Sequence, residues 1–415
     1  MNLEFFIARR IAQSAPGNRP GVMVRIAVVA VALSVCVMIL SLAVIMGFKR
    51  EITERVVGFA AHVEVVDLRG VRSLESYPVQ RSAELEETIR SAGRVERMAP
   101  YAVKGGVVKT PDAILGVRLK GVDGSYDWSF FRENLTDGAL PRVGDSVRTK
   151  EILISESVAR ELELGVGDKV EMLFVESSGQ PRRDRFKISG LYATGMNEFD
   201  RSVVMTDLRN VQRLLDWPQE LVSGYEITLE NFSQAAAYAR QLNMCFADAE
   251  NEVFWDYAAV SVQTLYPALF DWLKTHNVNA AVILIIMVVV ALFNMATALL
   301  TLVLERTRMI GLLKTMGMEN GSLRRIFLYR ALFIVVRGVV WGNVIGLGLC
   351  LLQHWLHLVR LDPTGYILSE VPVSVSLGWW LPLNIGVIAV ILLLLLLPAS
   401  IVSTVKPDRS IRYNV

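Results

Sequence analysis

Four apolar runs, residues 24–48, 278–304, 326–352 and 377–402, are each long enough to cross a hydrocarbon core about 30 Å thick, which takes about 20 residues of helix. In lipid every backbone N–H and C=O must be satisfied within its own segment, so such runs fold as α-helices. Residues 49–276, between the first run and the second, have the charges and turn residues of a water-exposed domain. The chain is 53% hydrophobic and 20% charged, which averages those two populations.

Charge orients the runs. Arg9, Arg10, Arg19 and Arg25 flank the start of the first, and Lys406, Arg409 and Arg412 follow the fourth. The loop joining the second and third carries Arg306, Arg308, Lys314, Arg324 and Arg325 against Glu305 and Glu319. The short loop between the third and fourth balances Arg360 with Asp362 and Glu370. Basic loops stay inside, so both termini and the 305–325 loop are expected in the cytoplasm and residues 49–276 outside it. Lys49 and Arg50 run against the rule, which long translocated domains largely escape. The first run is longer than a signal-peptide core and no small-x-small site follows it, so it reads as an uncleaved anchor.

The outer segment reads as α+β. Residues 61–68 alternate as a strand, 82–91 form a helix capped by Ser82, and 95–109 a strand with a turn or bulge at Gly105-Gly106. Residues 151–174 give strand, helix capped by Ser155, turn and strand; 176–185 is a polar turn. Asp207 caps a helix to Leu215, and 225–229 with 232–242 make a final strand and helix. The expected fold is an α-helical integral membrane protein with four transmembrane helices and a large α+β domain between the first and second. Its parts are an interfacial helix at 1–21, spans at 22–48, 277–304, 326–352 and 377–402, the domain at 49–276 with an inserted part at about 125–222, the basic loop 305–325, an outer loop 353–376 and a tail 403–415.

The loop 304–325, LERTRMIGLLKTMGMENGSLRR, spaces Met309, Ile310, Leu312, Leu313 and Met316 as one helical stripe, and Gly317 follows as a stop. It reads either as a short helix that a separate engine pushes or as a basic loop on lipid headgroups. In the third span, Arg330 and Arg337 share a face; Arg330 can snorkel to the cytoplasmic interface, whereas Arg337 lies deeper and costs more. Gly338, Gly342 and Gly346 recur at the four-residue spacing that lets helices approach closely.

Catalytic chemistry is not written here. No phosphate-binding G-x-x-x-x-G-K-[ST] loop occurs, Ser155 and Ser157 lack a nucleophile-elbow setting, and the four histidines are scattered. His354 and His357 lie three apart without a third ligand, so no metal site is expected. Cys36 and Cys350 lie within spans and Cys245 is alone in the outer domain, which leaves that domain without an internal disulfide.

Several stretches resemble the lipoprotein-releasing ABC transporter permeases, within the wider four-span permeases that include macrolide exporters and cell-division permeases. IMGFKREITERVVGFAAHVEV (45–65) is similar to the junction of first span and outer domain. VVALFNMATALLTLVLERTRMIGLLKTMGMENGSLRRIFLY (289–329) is similar to the second span and coupling helix. NEFDRSVVMT (197–206) and PASIVSTVKPDRSIRY (398–413) are similar to a domain segment and the closing tail. Phe59-Ala60-Ala61-His62 and Phe293-Asn294 point to the lipoprotein branch.

The resemblance implies a multi-pass subunit of the bacterial inner membrane with a periplasmic domain, paired with a second permease, identical or paralogous. A cytoplasmic ABC ATPase dimer would supply ATP and Mg²⁺, with no cofactor on this chain. Glu305, Arg308, Ile310, Leu313, Lys314, Met316 and Gly317 would couple to that ATPase. Leu42, Ile45, Met46 and Phe48, with Val282 and Ile286 facing them, would line a cavity for the acyl chains of a lipoprotein. A periplasmic carrier would meet the turn at Glu176, Gln180, Pro181 and Arg185, although that turn is short for the task. No nucleic acid is expected, and membrane lipids surround the spans. Two rival readings are a mechanotransmission permease acting on an efflux adaptor or cell-wall hydrolase, and a membrane-anchored sensor or scaffold.

Overall fold

The computed structural model describes residue 6 and residues 22–72, 75–111, 113–144, 147–175, 181–361, 368 and 370–396. The helix expected at 1–21, the tail at 403–415 with its 398–413 motif, and Glu176 and Gln180 lie outside the described residues. In chain order come α1 (Val22–Ala60), β1 (Val63–Asp67), β2 (Val79–Gln80), α2 (Ala83–Ser91), β3 (Val95–Lys109), β4 (Ile114–Val122), β5 (Leu135–Gly138), β6 (Glu151–Ser155), α3 (Glu156–Glu161), β7 (Lys169–Val175), β8 (Pro181–Tyr192), β9 (Val203–Asp207), α4 (Leu208–Leu214), β10 (Leu221–Val222), β11 (Gly224–Leu229), α5 (Ala235–Ala247) and β12 (Tyr257–Ser261). Then follow α6 (Pro267–Glu305), α7 (Thr307–Thr315), α8 (Asn320–Leu356) and α9 (Leu377–Leu394). The chain divides into two compact units, residues 51–271 with 361–369 and the remainder, and each is taken by itself.

The unit of long helices holds four segments long and apolar enough to cross a membrane, in α1, α6, α8 and α9. Three of them run beyond the apolar stretches seen in the sequence. Nothing in PALFDWLKTHN before the second run, or in the Lys49–Ala60 turns after the first, breaks a helix.

Small residues decide how α1 and α8 meet. A Cβ on Gly338 would stand 2.6 Å from that of Val31, and one on Gly342 2.7 Å from that of Val35; Gly346 faces Ile39. Both series advance by four, so the two helices run parallel with backbones in close approach, as the glycine spacing predicts. Between α8 and α9, Asn343 Nδ2 donates to Asn384 Oδ1 at 2.6 Å and Trp380 Nε1 donates to Asn343 Oδ1 at 2.6 Å. Asn384 Nδ2 donates back to the Trp380 carbonyl at 2.9 Å, on the turn that contains Pro382.

The outer unit is built on a ten-stranded sheet ordered β12-β1-β11-β3-β4-β9-β6-β8-β5, with β7 against β3 and β8, while β2 and β10 pair separately. Most pairs are antiparallel; β4–β9 and β6–β8 are parallel. Residues 125–222 supply β5 to β10. The three caps read from the sequence form: Ser82 accepts from Leu85 N–H, Ser155 from Val158 N–H, and Asp207 from Arg209 N–H.

Two expectations are corrected. Gly105 and Gly106 make neither turn nor bulge: β3 runs through them, paired to Arg118 and Val117. The Phe174 ring lies 2.6 Å from where a Cβ on Gly106 would be, so that glycine makes room for an aromatic on β7. The strand at 225–229 is not the last either. β12 follows and pairs antiparallel to β1, all five of its residues buried. The stretch YAAVS alternates nothing, and a wholly buried short strand lacks the period that marks a half-buried one.

Candidate functional site

The loop between the second and third spans folds as a stiff elbow. α6 stops at Glu305, Arg306 leaves helical geometry, and α7 begins at Thr307. At its far end the N–H of Gly317 donates to the Lys314 carbonyl at 3.1 Å and that of Met318 to the Leu313 carbonyl at 3.0 Å. These two bonds, with Gly317 at φ +88°, make a Schellman cap, which satisfies carbonyls that α7 would otherwise leave bare. Glu319 then caps α8 in extended geometry.

Packing sorts the stripe. Ile310 is fully buried against Leu302 and Val303 of α6 and Leu323 and Phe327 of α8, with Met309, Leu313 and Met318 alongside. Leu312 and Met316 face out, 53% and 82% exposed. They are one helical turn apart, so α7 presents an apolar pair to whatever docks there. Of the coupling residues named from sequence, Ile310 and Leu313 therefore hold the elbow, whereas Glu305, Met316 and Gly317 are exposed and Lys314 is half-buried. Arg308 belongs to the same helix; its side chain lies outside the described residues. Leu312 was not among those candidates. Its four-residue spacing from Met316 in a basic loop was the available signal.

The acyl-chain candidates lie on α1 and α6. Leu42, Ile45, Met46 and Phe48 are half-buried on α1, and Phe48 meets Trp272 edge-on at 6.3 Å. Val282 and Ile286 are exposed on α6, which turns Ala291, Met295 and Leu299 into the helix core. Arg330 is not the snorkelling residue that the sequence allowed. It is buried on the packed face of α8, with its Nε atom lacking a hydrogen bond. The reason is its phase, three and four residues from the core-facing Phe327 and Ile334.

In the outer unit, the end of α1 is an anchor. Phe59 inserts among Phe130, Phe131, Tyr192 and Phe199, with ring centroids 5.1–6.2 Å away. Gly58 allows this, because a Cβ there would strike the Phe130 ring at 2.3 Å. Ala61 turns left-handed at φ +51° and ends the helix. His62 Nδ1 accepts from the Leu229 N–H at 2.9 Å, and burial pushes its pKa down, so it sits there neutral.

Beneath that anchor lies a charged cluster inside a cavity of 430 Å³, lined among others by Phe59, Glu64, Tyr101, Lys120, Glu226 and Tyr266. Lys120 Nζ donates to the Phe59 carbonyl at 2.8 Å and to Glu226 at 2.5 Å, and Tyr101 donates to Glu64 at 2.9 Å. The ammonium thus pairs with one of the two carboxylates, and a phenol donates to the other. Burial first, and the neighbouring charge of Glu226 second, push the Glu64 pKa up to about 7; burial likewise raises that of Glu226. Nothing in this cluster is arranged as nucleophile and base. Its work is to fix the helix end to β1, β4 and β11.

The proposed carrier turn sits at the tip of the β7–β8 hairpin. Pro181 opens β8 opposite Val175, and Arg185 pairs with Glu171 at 3.4 Å. His357 caps α8 in a left-handed conformation and lies against Glu370.

Residues 26–244 match the MacB-like periplasmic core domain, and residues 281–407 match the FtsX-like permease C-terminal model. The lipoprotein-releasing system transmembrane protein LolC of Xylella fastidiosa is 23% identical over 406 residues, covering 93% of each chain. The corresponding LolE of Haemophilus influenzae is 22% identical over 367 residues, covering 85% of this chain and 83% of its own. Among solved structures, the periplasmic region of MacB from Actinobacillus actinomycetemcomitans aligns with 51% of this chain and 94% of its own, at 11% identity and a TM-score of 0.34. The four long helices, the domain set between the first two and both matches place the chain among the FtsX/MacB-like permeases, the non-catalytic transmembrane subunits of ABC transporters.

Proposed function

We propose that this permease couples ATP hydrolysis by a separate cytoplasmic ATPase dimer to the extraction of lipoproteins from the inner membrane, on their way to the outer membrane. The observation that carries the reading is the elbow: a nine-residue helix locked at its end by Gly317, rooted through Ile310, and offering Leu312 and Met316 outward. Such a helix transmits a push because it cannot yield independently of α6 and α8. The near full-length likeness to proteins named for lipoprotein release supports the choice of cargo.

ATP and Mg²⁺ are held by the partner, and this chain binds no cofactor. The protein works beside a second permease, identical or paralogous, and the exposed faces of Val282 and Ile286 are available to a cavity shared between the two. Moving three acyl chains into water would cost on the order of tens of kcal/mol, at about 0.8 kcal/mol per CH₂. They must therefore pass from one apolar surface to another, which calls for a periplasmic carrier. The hairpin tip opened by Pro181, with Arg185 four residues further along β8, is the place in this chain for that contact.

Reconstitution tests the reading. The permease, co-purified with its ATPase in proteoliposomes loaded with a triacylated lipoprotein, is expected to release the lipoprotein on ATP addition when a carrier is present. ATP turnover without release would refute the cargo. Recovery of a periplasmic hydrolase or efflux adaptor in its place would favour the mechanotransmission reading, which the MacB-like domain match keeps in view.

A further inference from the structure

The mechanism above leaves Arg337 unused, yet it stands exposed on a helix that crosses the membrane. It opens onto a groove of 580 Å³ between α1 and α8. The walls are apolar, with Val28, Leu33, Trp341 and Ile345 among them, and the charged lining among the described residues is Arg25 and Arg337. The helix register brings the two arginines to the same end: Gly338 packs on Val31 and the Val28 carbonyl, and Arg25 lies one turn, about 5 Å of rise, below Val28. That end is the N-terminal end of α1, which the basic-inside rule assigns to the cytoplasmic side.

A lipid-exposed guanidinium is costly in hydrocarbon unless it meets an anion, and a basic pocket between helices near the cytoplasmic surface is suited to a lipid phosphate. A lone arginine could reach the interface by itself. Two at one end of an apolar slot long enough for a chain describe both halves of an anionic lipid. We propose that this groove holds an anionic phospholipid, its phosphate between Arg25 and Arg337 and an acyl chain along Val28, Leu33, Trp341 and Ile345. The bound lipid would then wedge against the glycine seam joining α1 to α8. This inference does not depend on which cargo the permease releases.

Native mass spectrometry of the delipidated full-length protein, titrated with dioleoylphosphatidylglycerol or dioleoylphosphatidylcholine, tests it. The wild type is expected to hold phosphatidylglycerol roughly tenfold more tightly. Arg337→Gln should abolish that preference while leaving phosphatidylcholine binding unchanged, which separates loss of the site from loss of fold. Arg337→Lys should keep most of the preference, and an excess of inorganic phosphate should not displace the lipid. Equal retention of both lipids by the wild type, or full preference in an Arg25→Gln/Arg337→Gln double variant, would overturn the proposal. Displacement by inorganic phosphate would show a free-anion site and overturn it too.

Discussion

The elbow at 305–319 and the anchor at 58–62 both end a long helix, and they do so in opposite ways. At the elbow the chain is capped by backbone alone, and its outward residues, Leu312 and Met316, have no partner surface within the described residues. At the anchor, every feature is internal: Phe59 in an aromatic nest, Ala61 turning left-handed, Lys120 on the Phe59 carbonyl. An exposed apolar pair on a rigid helix suits the input surface proposed above; a buried ion cluster around a helix end is a rivet. The first should tolerate substitution in terms of stability and fail in coupling. The second should fail in stability.

The largest expected effect is at the rivet. Lys120→Met leaves Glu226 buried without its ammonium and takes a donor from the Phe59 carbonyl. Loss of one partner of a buried pair costs about 3–5 kcal/mol, so thermal unfolding of the detergent-purified protein should shift down by many degrees. An unchanged Tm would show that the cluster is not what holds the end of α1.

Gly317→Pro comes next. Proline cannot reach φ +88° and has no N–H for the Lys314 carbonyl, so the cap is lost at about 3 kcal/mol locally. ATP-driven release should fall at least tenfold while the Tm of the outer unit stays in place. Gly317→Ala, which pays only about 1–2 kcal/mol for the left-handed backbone, should give an intermediate rate.

A smaller effect is expected from pH. The folded Glu64 carboxyl holds its proton up to about pH 7, whereas an unperturbed one releases it near 4.5. Between those values the native state binds more protons than the unfolded chain, so stability falls as pH rises through this window and levels off above it. Glu64→Gln should flatten that dependence, by up to roughly 3 kcal/mol between pH 4.5 and 8. Melting curves of the two proteins that run parallel across pH 4.5–8 would contradict a Glu64 that keeps its proton in the folded state.

The same contrast explains what could be read in advance. The presence of four spans, the Ser82, Ser155 and Asp207 caps and the Gly317 stop are local: each follows from a few neighbouring residues, and each appears in the structure. The rivet is not local. Lys120 and Glu226 are joined across more than a hundred residues of chain, and Asn343 meets Asn384 only because α8 and α9 pack there. β12 escaped notice because a strand buried on both faces carries no alternation. The elbow was half legible. Its helix and its stop were written in LERTRMIGLLKTMGMENGSLRR, but which apolar residues face inward depends on the phase set by α6 and α8, and so Ile310 and Leu313 were grouped with Met316.

The central claim is that the partner ATPase enters through the exposed face of α7. A photo-crosslinking residue at position 316 in the intact complex, paired with release assays on a Leu312→Asp/Met316→Asp variant, addresses it most directly. Covalent capture of the ATPase at 316, with release lost and Tm unchanged in the double variant, is the expected result; a 316 probe that never reaches the ATPase, or a double variant that releases lipoprotein at the wild-type rate, would contradict it.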